Sequence, residues 1–467
     1  MHGFVYAKEQ NCKYPFRFED RHITIYNRDA IQVNNADKYK IDLKCKVEYL
    51  IAEDIDTNSI LILFISNDPF SSENWKWVSS ESIRVYYYLE LNKLFRTILF
   101  NKLVFELPEL NYFFPITKGF KSRDNNNSLL TVEPIPFQKT KQRLNFTLNG
   151  NQIEIEFGVA GSYRYKSTSP LSFSSQLSCS FEGTNDTDFL IQIYEKIQRM
   201  FFFLCHRRSI LFNSIKVKCI DYNDKYTVGQ FHVLFDNKTA EDEDTIKGTI
   251  CIDYVNSHLN QLIQLISDDN LYTEHIPRDN ESAHHITTAS FVLDAAAFEW
   301  SFKTLYGKTE PKPSEYRINV KKDIINAIEE LKSVKEYNAK EKGEANYYLR
   351  ILKKTEISFS ERVLYALKEF DDVLSGFIQQ IYNFYNLKYD KKTYKRIANE
   401  LQYYRNAFAH GDIDKELKDD FISDTIILEW LIYCIVLKTA EYTHDEIFNI
   451  VNIIFVRRFE HRETESE

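Results

Sequence analysis

The apolar pattern changes its period near residue 275, and this change limits the fold more than any other feature. Before it, β-branched and aromatic residues come in short runs separated by Asn, Asp, Ser and Pro clusters, as in 46–51, 60–65 and 84–89. After about 280, apolar residues recur at helical spacing almost to the end of the chain. Alternate positions line a strand face, and every third or fourth position lines a helix face, so neither pattern can serve the other element. The chain is therefore expected to be α+β. A β-rich, sandwich-like half over 1–275 precedes an all-α helical bundle over 280–467.

Local signals refine this division. The run Leu144–Leu148, the dipeptide Asn149-Gly150 and the run Ile153–Phe157 predict a hairpin, because Asn-Gly tolerates the positive φ angles of a tight turn. Residues 124–128 and 237–248, rich in Asn, Asp and Glu, are expected to be exposed loops. A helix capped by Asn185 or Asp186 is expected to run to about Leu204. In the second half, helices are predicted over about 284–306, 317–354, 359–386, 391–410, 417–442 and 444–457.

Composition excludes several classes. Aromatic residues are 15% of the 467 positions, which implies packed cores rather than disorder. The seven Cys are scattered without any C-x-x-C pair, so neither a disulfide framework nor a zinc site is expected, and a reducing cytoplasm is the simplest setting. The N-terminal residues lack an apolar core, so no signal peptide is expected. The most apolar run, Ile426–Leu437, is too short to span a bilayer and reads as a buried helix.

The segment Arg405-Asn406-Ala407-Phe408-Ala409-His410-Gly411 carries the strongest chemical signal. It sets an Arg, an amide and a His at the end of a helix that Gly411 can stop. Asn406 and His410 share a face, whereas Arg405 is about 140° around from His410 on an ideal helix. Metal-free RNA cleavage by 2′-hydroxyl attack needs a group that moves protons near neutral pH, which His supplies. It also needs a cation with fixed donors for the crowded phosphorane, which Arg supplies. A helix C-terminus favours protonated His, which suits a general acid.

This segment resembles the R-x4–6-H motif of HEPN domains. Two other stretches, Ser290–Gly307 with Glu299 near its end and Ile193–Leu204, resemble helices of ApeA-type anti-phage HEPN proteins. Phe298 stands before Glu299 where that family usually has Leu. The resemblance implies a metal-independent endoribonuclease of phage defence, acting on RNA (tRNA by family analogy) without a cofactor. It implies a cytoplasmic homodimer paired through the HEPN domain, with an N-terminal domain that answers a phage-derived trigger. Arg405 and His410 would be catalytic and Asn406 supporting, with Glu299 and Asp294 as weaker supporting candidates.

Lys391, Lys392, Lys395 and Arg396 lie on the same predicted helix as the motif and are candidates for RNA phosphate contacts. The alternative reading is a non-catalytic dimeric scaffold whose β-rich half binds a ligand or phage protein. Other features favour ordinary roles: Cys205-His206 as a helix end, His284-His285 as a solvated helix start, and Trp75 and Trp77 as one face of a strand. Gly307-Lys308-Thr309 lacks the earlier glycine of a phosphate loop.

The net charge of −9 argues against a chain that coats nucleic acid. Its distribution is uneven. Residues 251–300 hold one basic and eight acidic residues, 301–400 hold 20 and 15, and 401–467 hold 7 and 14. A basic stretch therefore ends just before Arg405 and is flanked by acidic ones.

Overall fold

In a computed structural model, described residues are all except 8–11, 20–21, 27–30, 33–40, 66–84, 93–97, 126–128, 164–170, 220–227, 234–240, 308–312, 314, 354–356, 413–418 and 457–467. Trp75 and Trp77 lie outside the described residues. The described chain forms two units. One comprises Met1–Asp269, Ile276–His284 and the segment Asn452–Val456; the other comprises Asn270–His275 and His285–Val451.

The first unit is built on strands β1 (His2–Ala7), β2 (Cys12–Glu19), β3 (His22–Ile25), β4 (Ile31–Gln32), β5 (Glu48–Asp54), β6 (Ser59–Ile65), β7 (Val85–Leu91) and β8 (Phe100–Glu106). They continue with β9 (Phe120–Asn125), β10 (Leu129–Pro134), β11 (Gln142–Leu148), β12 (Asn151–Tyr163), β13 (Leu171–Thr184), β14 (Ser214–Cys219) and β15 (Gly229–Val233). Its helices are α1 (Leu110–Phe113), α2 (Phe137–Thr140), α3 (Thr187–Cys205), α4 (Glu243–Lys247), α5 (Leu259–Ser267) and α6 (Asn280–Ala283).

Thirteen strands form one continuous antiparallel sheet in the order β11-β12-β13-β8-β14-β15-β7-β6-β5-β1-β2-β3, with β4 on β2; β9 and β10 pair separately. The half expected to be sandwich-like is thus hydrogen-bonded as a single long sheet. The unbroken apolar run of β6 has its reason here: Leu61, Ile62, Leu63 and Phe64 are all buried, so both faces of the strand are covered. Asn149 and Gly150 both have positive φ and close the predicted hairpin between β11 and β12. α5 guards the outer edge of β11, where Asn260 and Gln264 accept the N–H groups of Asn145 and Thr147.

α3 starts on Asp186, whose carboxylate accepts the Phe189 N–H, and ends at His206 in the left-handed conformation, so Cys205-His206 is a helix end. Its buried aromatics meet the sheet, with Tyr194 and Phe231 edge-to-face at 6.4 Å. Two expected loops contain structure: Asp124 and Asn125 belong to β9, and the acidic run opens α4 on an Asp242 cap.

The second unit contains α7 (Thr288–Tyr306), α8 (Glu315–Val334), α9 (Ala339–Lys353), α10 (Phe359–Glu369), α11 (Asp371–Phe384), α12 (Thr393–Ala409), α13 (Asp419–Thr439) and α14 (His444–Val451). The fold is α+β, a large antiparallel sheet followed by helices. Two predicted helices are split. The stretch 317–354 breaks where Asn338 caps α9, its side chain accepting the Lys340 and Glu341 N–H groups while Glu341 accepts the Asn338 N–H. The stretch 359–386 breaks at buried Phe370, and Asp371 and Asp372 open α11, where carboxylates suit a helix N-terminus.

The unit boundaries also differ from a single cut at 275–280. Ile276 is buried, Arg208 donates its N–H to Pro277 O at 2.9 Å, and Phe455 meets the His206 ring at 4.7 Å, so these later segments join the sheet unit. His284-His285 follows the short α6 and precedes α7 rather than starting a helix. Among the described residues no helix is long and apolar enough to cross a membrane, and all seven Cys are free.

Candidate functional site

α12 is held by its apolar face. Ile397, Ala398, Leu401, Tyr404 and Phe408 are buried at helical spacing. Phe408 meets Phe291 of α7 at 5.7 Å, and Tyr404 meets Phe421 of α13 at 4.4 Å. This anchoring leaves Arg405 half-buried and Asn406, Ala409 and His410 exposed along the outer side of the last turns.

The helix ends as the sequence predicts. Gly411 has φ +86°, its N–H donates to Phe408 O at 3.1 Å, and the Asp412 N–H reaches Ala407 O at 3.0 Å. These two bonds with a left-handed residue just past the cap define a Schellman end. His410 is the cap residue itself. Its side chain has no hydrogen bond or ion pair among the described residues, and it stands beside the negative end of the helix dipole.

Arg405 is placed by Glu299 of α7. Its Nη2 lies 3.2 Å from Glu299 Oε2 and 3.4 Å from Oε1, and its Nη1 is 3.4 Å from Asn406 Oδ1. The Asn406 oxygen also accepts from Gln402 Nε2 at 2.9 Å, and the Gln402 oxygen accepts the Ser360 N–H at 3.1 Å. Ser360 sits in the first turn of α10, fixed by the reciprocal cap of Ser358 and Glu361. Arg362 of the same helix is only 3% exposed, with Nη1 3.9 Å from Glu299 Oε1. Glu299 therefore stands between two guanidinium groups, one buried and one facing solvent.

Of the candidates from sequence, the structure brings together Arg405, Asn406 and Glu299, with His410 one turn further on the same helix. Asp294 is not brought to this surface. Five residues before Glu299 on α7, it projects about 140° away and is 1% exposed. Burial, with the Glu429 carboxylate nearby, pushes its pKa well above the ordinary range, and its Oδ1 has no hydrogen-bond partner.

Arg396 is also taken elsewhere. Its guanidinium grips Asp424 at 2.7 and 3.1 Å and donates to the Tyr382 hydroxyl, so it serves the interior of the bundle instead of an RNA surface. Lys391, Lys392 and Lys395 are exposed at the start of α12, and Lys392 is about 20 Å of helix rise from Arg405.

Arg362 and Gln402 were not singled out from sequence. A signal for Arg362 existed: a charged residue among Phe359, Val363, Ala366 and Leu367 on one apolar stripe calls for a buried partner. Gln402 carries no such mark. Among the described residues no group of three or more His, Cys, Asp or Glu is placed to hold a metal. No family model, curated protein or solved structure matches this chain.

Proposed function

We propose that this protein is a HEPN-type, ApeA-like endoribonuclease of phage defence that cleaves RNA, with tRNA a substrate by family analogy. The observation that carries the reading is the placement of Arg405, Asn406 and His410 on the solvent side of one helix end, while the apolar residues between and around them anchor that end. In this reading the substrate phosphate exchanges with Glu299 for the Arg405 guanidinium, which then stabilises the phosphorane. The 2′-hydroxyl releases its proton to solvent water as its oxygen closes on phosphorus, and His410 gives a proton to the departing 5′-oxygen, leaving a cyclic phosphate and a 5′-hydroxyl. Asn406 orients the phosphate.

The active form is a cytoplasmic homodimer whose two motifs share one cleft. Val292, Leu293 and Trp300, exposed on α7 beside Glu299, supply an apolar face for that pairing. The sheet unit answers a phage-derived trigger. The test is cleavage of an RNA pool in the presence of a metal chelator. Arg405→Ala and His410→Ala are each expected to lower the rate by about 100-fold or more. A wild type that binds RNA or its trigger but never cuts would instead favour a non-catalytic scaffold.

A further inference from the structure

α8 and α9 form an antiparallel hairpin, with Lys321 Nζ of α8 3.5 Å from Lys353 O of α9 and Lys332 Nζ 2.6 Å from Asn346 Oδ1. The hairpin has almost no core. None of the twenty residues of α8 is buried, and on α9 only Leu349 is. The row of α8 that carries Lys321 and Lys332 is half-buried: Arg317, which pairs with Glu361 of α10, Lys321, Ile325, Ile328 and Lys332.

Beside this row runs a second one that nothing covers among the described residues. Tyr316, Val320, Ile324, Leu331 and Val334 are exposed, Tyr316 by 86% and Val334 by 78%. With Ala327 they follow steps of 4, 4, 3, 4 and 3 residues. At 100° per residue these positions fall within a stripe about 80° wide. This is the spacing of a coiled-coil seam, with Ile324 and Leu331 at the first core position of each heptad and Val320, Ala327 and Val334 at the second.

The charges beside the seam specify what can cover it. Asp323 and Glu330 precede Ile324 and Leu331, and Lys321 and Lys335 follow Val320 and Val334. One flank is acidic and the other basic. Two such helices lying parallel place Glu330 of one opposite Lys335 of the other, while Asp323 meets Ile328 and Lys321, which reaches Lys353 O of α9, meets Tyr316. Antiparallel helices place acid against acid and base against base, which is repulsive. The Glu330–Lys335 pair and the like-charge contacts of the antiparallel arrangement therefore favour a parallel copy of the same seam.

We propose that α8 pairs in parallel and in register with α8 of a second copy of this chain. The inference does not rest on the nuclease reading, and it concerns a surface apart from the Arg405–His410 turn. An in-register parallel seam sets the two copies of position 334 directly opposite, the arrangement a disulfide requires. The test is Val334→Cys in the full chain under mild oxidation, with wild type reporting any background from its seven free Cys.

The expected result is a covalent dimer at least tenfold above wild type, returned to background when Ile324→Asp and Leu331→Asp are added. Glu330→Lys should lower the yield, and Lys335→Glu in the same chain should restore it. No excess dimer, or a yield indifferent to the Asp pair, overturns the proposal, as does failure of the charge exchange to restore it. A seam covered by a different protein, or by another face of its own chain, gives that negative result. Because α8 buries no side chain, the variants should keep the wild-type melting temperature, so a negative result cannot be assigned to misfolding.

Discussion

Asp424 shows how the interior of the helical unit handles charge. The carboxylate is fully buried, gripped by Arg396 and hydrogen-bonded by Tyr382 at 3.0 Å. Burial raises its pKa to about 6 although Arg396 and Tyr382 pull the other way. The folded protein therefore holds a proton at Asp424 over a range where the unfolded chain has released it. The stability from this group is complete below the ordinary carboxylate pKa and is lost as pH rises through about 6. Melting curves from pH 4 to 7.5 should show wild type losing stability relative to Asp424→Asn as pH rises, by at most about 1.4 kcal/mol per pH unit. A difference that grows with pH instead would contradict this. The same network decides Arg396. From sequence it was one of four cations near a motif, and nothing local distinguished it from Lys395. Only the packing of α13 against α12, which brings Asp424 to it, removes it from the surface.

Elements of this protein are written locally wherever they begin and end on hydrogen bonds to near neighbours. The Asn149-Gly150 turn, the Asp186 cap and the Gly411 stop were legible because each is settled within a few residues. The breaks at 338 and 370 were equally local, but an uninterrupted apolar period masked the Asn338–Glu341 cap and the Asp371-Asp372 start. Gly411 tests how closely helix termination and the site are linked. A side chain there must adopt φ near +86°, which costs about 1 kcal/mol for a non-glycine residue. Gly411→Ala is expected to lower the melting temperature by a few degrees. Under the proposed function it should also reduce RNA cleavage more than an equally destabilising core change such as Ile397→Val, because the strained residue adjoins His410. Equal activity losses for the two variants would separate the helix end from the site.

Across the whole molecule, charge is sorted by position. The basic stretch that ends before Arg405 spreads its cations over several helices: Arg317 pairs with Glu361, Lys353 with Glu329, and Arg396 with Asp424. Among the described residues few are left beside the motif, and the lysines that open α12 stand a helix length away. Under the proposed function, RNA binding should therefore depend weakly on salt. A logarithmic plot of affinity against salt is expected to have a slope of about −1 to −3, the value for a few neutralised phosphates on a single strand. A slope near −6 or steeper would show that the distant lysines take part.

By itself the sequence determined the two classes of element, most of their ends and the end of the helix that carries Arg405, Asn406 and His410, because periods, caps and turns are settled between residues close in the chain. The tertiary structure alone decided that Glu299 and Arg362 converge behind Arg405, that Gln402 links Asn406 to the start of α10, that Asp294 is withdrawn into the bundle, and that residues 452–456 rejoin the sheet unit. Those partners lie tens to hundreds of residues apart, and what joins them is the burial of apolar faces, which is non-directional and, even where a charge such as Arg362 marks one end of a contact, does not name the other.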